Sequence, residues 1–95
     1  KVEETEFLDW AVVAAFYVAV RYVDAHFFPD HPQDHQERNS WVRIRQHTRP
    51  IWSSYRELYQ QSRDARYELK DFSVDEVKAL VSNDLPKVIT QLKKH

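Results

Sequence analysis

Arg21 and His26 are separated by four residues in "RYVDAH", inside the most apolar part of the chain. An arginine can hold a phosphate and stabilise charge that builds on it, and a histidine can move a proton near pH 7. Together they could act on a phosphodiester. Their spacing works against them, because residues five apart point about 140° from each other on an unbroken helix. While the helix stays regular through Phe28 the pair is expected to remain apart; a helix that loosens before Pro29 could let it converge. His35 and Arg38 follow a loop bounded by prolines. A histidine there can serve as an acid–base group or anchor the loop by hydrogen bonding.

Other constellations carry less. His26, His31 and His35 alternate with Asp24, Asp30 and Asp34. Imidazole and carboxylate suit a metal, yet the spacing matches no recognised site, and neither metal nor cofactor is expected. Serine chemistry lacks a nucleophile elbow. On helix one, Tyr17, Arg21 and Asp24 share a face with Trp10, Ala14 and Phe28. Arg21 and Asp24, three apart, are expected to pair, either as a structural polar core or as the floor of a binding pocket.

The elements that position these groups are helices. There is no glycine, which disfavours phosphate loops and tight hairpins, and no cysteine, which fits a reducing cytosol. Helix one is expected over residues 4–28, acidic at its start and stopped by "PDHP". It is apolar around most of its circumference, which predicts burial on several sides, in a bundle centre or a dimer seam. Its apolar stretch from Trp10 to Phe28 carries three ionisable groups near one end and is not expected to span a membrane. "DHQE" opens helix two, expected to run to His47, and Pro50 opens helix three. Helix three repeats apolar residues at Ile51, Tyr55, Leu58, Ala65 and Leu69. "SVDE" caps helix four, which Pro86 should kink or divide.

The 95 residues form one domain with a small core, and their net charge of −1 hides an asymmetry. Residues 1–37 carry two basic and eight acidic side chains, residues 38–70 carry eight and three, and residues 71–95 carry four of each. On helix three, Trp52, Tyr59 and Arg66 flank the apolar stripe, with Arg56 and Arg63 just beyond. Such an arginine–aromatic ridge can stack bases and hold phosphates, or it can cover a neighbouring helix or a second subunit.

The stretches "AAFYVAVRYVDA", "DHQERN", "LYQQSRDARYE" and "FSVDEV" follow one another along the chain. Their order resembles the HEPN superfamily, small helical bundles of toxins, antitoxin-associated domains and RNA-processing modules, from Trp10 to about Leu92. The resemblance implies an all-α, four- to five-helix up-and-down bundle, forming a homodimer through helix one and the flanks of helices two and three. It also implies RNA binding or cleavage at a dimer groove, in a toxin–antitoxin or defence setting. Family ribonucleases carry an arginine, four to six residues, and a histidine. In the most similar group that pair flanks the small-aromatic run of helix one, and the corresponding positions here hold Ala14 and Arg21. The expectation is therefore a degenerate, cytoplasmic member that binds RNA or a partner protein. The resemblance places Arg63, Arg66 and Tyr67 at a groove, with Tyr17, Asp24, Arg38 and Arg56 as further binding candidates. An active metal-independent endoribonuclease using Arg21, His26 and His35 is the alternative, as is a pure protein-interaction module.

Overall fold

The computed structural model describes residues 2–67 and 72–93, all arranged as an α-helical bundle. Helix α1 spans Val2–Phe27, α2 His35–Ile44, α3 Trp52–Tyr67, α4 Val74–Ala79 and α5 Leu85–Lys93. At about 1.5 Å per residue, the 26 residues of α1 account for most of the 42 Å long axis. No helix among the described residues is long and apolar enough to cross a membrane.

One face of α1 forms the spine of the core. Leu8, Val12, Phe16, Ala19, Val23 and Phe27 recur every three or four residues and are buried against Tyr55 and Leu58 of α3 and Val88 and Leu92 of α5. The expectation of burial on several sides does not hold within one chain. Phe7 and Trp10 remain 70% and 72% exposed, because the other helices cover only the inner face.

The caps fall where the sequence places them. The Asp34 carboxylate accepts the Glu37 N–H at 2.8 Å and opens α2. Ser73 and Glu76 form the reciprocal capping box of α4. Helix α2 ends at Ile44, short of His47. The buried Thr48 hydroxyl donates to the carbonyl of Val42 at 2.8 Å, satisfying a helix-end acceptor and letting the chain turn early. A 3₁₀ turn, Arg49–Ile51, then leads into α3 with Pro50 in its first positions. Within α3, buried Ser54 and Ser62 flank Tyr55 and Leu58, Ala65 is half-buried, and Leu69 lies outside the described residues.

Between α4 and α5 the helix widens into a π turn over Leu80–Asp84. The Leu85 N–H reaches back to the Leu80 carbonyl, five residues away. Pro86 enters immediately afterwards, where its missing N–H and bulky ring would not suit a narrow helix.

Candidate functional site

The polar centre of the molecule is built from α1, α2 and α3. Arg38 donates from Nε to Asp24 Oδ1 at 2.8 Å and from Nη2 to Oδ2 at 3.2 Å, a two-point clamp between α2 and α1. The partner of Asp24 is thus Arg38, and Arg21, expected there, is exposed. Helical spacing allowed the local pair, but the α2 arginine offers a fork geometry across the packed interface that Arg21, facing water, does not.

Arg38 has a third contact, from Nη1 to His35 Nδ1 at 2.9 Å. A guanidinium can only donate, so Nδ1 accepts and the imidazole proton resides on Nε2. Burial, then the positive charges of Arg38 and Arg66, hold the His35 pKa below its ordinary value. Around it pack the rings of Phe16 and Tyr59, with centroids 5.6 and 5.9 Å away. His35 is therefore a neutral imidazole presenting Nε2–H. It can donate a hydrogen bond, while its lone pair is occupied and unsuited to accepting a substrate proton.

Beneath this cluster, the fully buried Tyr55 hydroxyl has no hydrogen-bond partner, and burial raises its pKa. The Asn39 Oδ1 is likewise buried and without a partner. The sequence reading placed Tyr55 in the apolar stripe of helix three without a role for its hydroxyl, and it missed Asn39. An asparagine beside an arginine at the start of a helix is the one signal that could have found the second.

Arg66 occupies the rim in a different manner. Its guanidinium lies over the rings of Tyr67 at 5.2 Å and Tyr17 at 6.0 Å, and Nη1 donates to the Tyr17 hydroxyl at 3.3 Å. Among the described residues no carboxylate pairs with it, and Nε is buried without a partner. Tyr17 and Tyr67 are themselves partly open, at 43% and 66% exposure. The expected ridge on α3 is thus divided. Tyr59 is packed against Phe16 and His35, Trp52 leans on the core, and Arg56 and Arg63 stand exposed beyond them.

His26 belongs to another part of the molecule. Helix α1 stays regular to Phe27, so Arg21 and His26 diverge, and the His26 ring stacks on His47 with centroids 5.0 Å apart. His47 Nε2 in turn lies 3.0 Å from the Gln91 carbonyl of α5. The structure therefore brings together Tyr17, Asp24, His35, Arg38 and Arg66 with Tyr67 beside them, and leaves Arg21, His26, Arg56 and Arg63 outside. Among the described residues no group of three histidine, aspartate or glutamate side chains is arranged to hold a metal.

Comparison with known proteins finds no matching family model, no matching curated protein and no matching solved structure.

Proposed function

We propose that this chain is a HEPN-like RNA-binding domain that holds RNA without cutting it. The observation that carries the reading is Arg66: a half-buried cation, in no ion pair among the described residues, laid between two accessible tyrosine rings. That combination suits a phosphate with bases stacked beside it. His35 adds a neutral hydrogen-bond donor behind the rim, and with Nδ1 occupied by Arg38 it offers no lone pair to take the proton of an attacking 2′-hydroxyl. The family resemblance supplies the setting, a toxin–antitoxin or defence module.

Binding of single-stranded RNA measured against salt tests this directly. Affinity is expected to fall steeply as salt rises, and Arg66→Ala to lower it and reduce the slope by about one contact. RNA incubated with the protein and EDTA should stay intact. Absence of binding at low salt, or cleavage that disappears in His35→Ala, would overturn the proposal.

A second reading, a module that pairs with a further copy of itself, is favoured by the uncovered Phe7 and Trp10 on the outer face of α1. Sedimentation as a monomer at high micromolar concentration would dismiss it.

A further inference from the structure

From Arg38 to Arg56 the chain holds five arginines and His47, with no aspartate or glutamate among them. Arg38 is spent on Asp24 and His35, whereas Arg43, Arg45 and Arg49 stand exposed where α2 ends and the 3₁₀ turn begins. One cation would answer the dipole of a ten-residue helix, so three exceed that need and build a positive corner. Arg45 has a defined seat in it. Its guanidinium lies 5.5 Å from the ring centroids of both Phe27 on α1 and Trp41 on α2, and it is in no ion pair among the described residues. Arg66 has the same surroundings, two aromatic rings with one of them on α1. A cation–π contact fixes a guanidinium without consuming its N–H donors.

The two guanidiniums mark opposite ends of one seam. Helix α2 runs alongside α1 in the same direction: the His35 ring packs on Phe16, Arg38 clamps Asp24, and Trp41 meets Phe27 with centroids 5.3 Å apart. Arg66 lies at the His35 end and Arg45 at the Trp41 end. Their rings on α1, Tyr17 and Phe27, are ten residues apart, which is about 15 Å along the helix axis and about 80° around it. The Asp24 carboxylate falls between them, already neutralised by its two bonds from Arg38. We infer that this seam and the corner beyond it form one track for a single strand of RNA, running from Arg66 to Arg43, Arg45 and Arg49. Each end offers cations for phosphates beside aromatic surface. A duplex is stiff on this scale and would touch one end only, while a single strand can follow the turn around α1. The inference rests on the RNA reading and extends it from one arginine to a strand of several nucleotides.

The test is fluorescence anisotropy of labelled oligouridine, about three and about ten nucleotides long, titrated with the protein. A short strand reaches one end of the track, and a long one reaches both, the second contact being intramolecular. Affinity should therefore rise by about a hundredfold or more between the two lengths. A gain of only a few-fold, which the extra registers of a longer strand supply unaided, would overturn the track. Changing Arg43→Gln, Arg45→Gln and Arg49→Gln together should remove the gain. It should also lower the salt slope for the long strand by about two, three phosphate contacts at about 0.7 each. Thermal melting checks that this variant folds, and the length dependence of the unmodified protein decides the matter if it does not.

Arg66→Ala in the same titrations separates the two levels of the argument. If it weakens binding while the triple variant matches the unmodified protein, the track is overturned and the rim stands. If the triple variant loses binding and Arg66→Ala does not, the reading built on Arg66 falls and the arginine corner remains as the RNA surface. Vesicles of phosphatidylserine and phosphatidylcholine supply the last arm. Vesicle binding that the triple variant loses, with no length dependence toward RNA, would overturn the track and give the corner to an anionic membrane surface.

Discussion

Arg38 and Arg66 are half-buried arginines on neighbouring helices, yet they play opposite parts. Arg38 is committed to the protein at all three of its nitrogens, which reach both oxygens of Asp24 and the Nδ1 of His35. Among the described residues Arg66 meets a phenolic oxygen and two aromatic faces, and its Nε is buried without a partner. A guanidinium bound by the protein at every nitrogen ties helices together, and one held by a phenol and two aromatic faces at a partly open rim is left less committed. Burial alone would not separate them; the partner inventory does.

That contrast breaks first if Arg38 proves dispensable. Arg38→Ala leaves the Asp24 carboxylate and His35 Nδ1 without donors, and should cost about 2 kcal/mol in urea unfolding. The figure sits below that of a fully buried pair because the Asp24 side chain keeps 37% of its surface. A loss under about 0.5 kcal/mol would erase the distinction. Arg66→Ala should show the reverse, with stability held within about 0.5 kcal/mol and RNA affinity lowered about tenfold, some 1.4 kcal/mol.

A subtler effect links the two arginines through His35. Its folded-state pKa lies below the ordinary 6.5, through burial first and the two arginines next. On acidification the unfolded chain takes up this proton before the folded one. Its contribution is therefore complete above about pH 6.5 and drains away as pH falls toward the folded value. That loss should vanish in His35→Gln. Arg66→Ala should move the His35 titration back upward, read by nuclear magnetic resonance. The smallest effect is expected at Tyr55. Replacing it with phenylalanine removes an unsatisfied hydroxyl and should be neutral or slightly stabilising. Because the folded-state pKa of Tyr55 is raised, the unfolded chain ionises first. Wild-type stability should thus decline above about pH 10, and that alkaline loss should shrink in Tyr55→Phe.

Much of the architecture was legible because its signals are local. Asp34 and Ser73 announced their helices, the prolines after Phe28 stopped the first one, and the stripe of Tyr55 and Leu58 named the buried side of α3. Of the residues singled out in the sequence, Tyr17, Asp24, His35, Arg38 and Arg66 gather in one cluster, and their pairing was misread. Asp24 was matched to Arg21 by helical spacing, whereas its partner lies on another helix and could be chosen only by packing. The stretch Thr48–Pro50 announced the corner after α2, but the Thr48 hydroxyl, taking up the Val42 carbonyl, lets the helix end earlier than the sequence indicated.

The π turn at Leu80–Asp84 has a consequence for chain length. It amounts to a one-residue insertion, turning everything beyond it by about 100°. With that rotation Val77, Leu80, Leu85, Val88, Ile89 and Leu92 fall within about 100° of arc; on an unbroken helix they would spread over roughly 180°. The spare residue therefore sets the facing of α5, and Pro86 depends on it. Deleting Asn83 alone should narrow the turn against the proline ring and lower the melting temperature, and deleting it together with Pro86→Ala should restore a straight helix with the same side inward. Insertion and proline behave as one coupled trait, each tolerated because of the other.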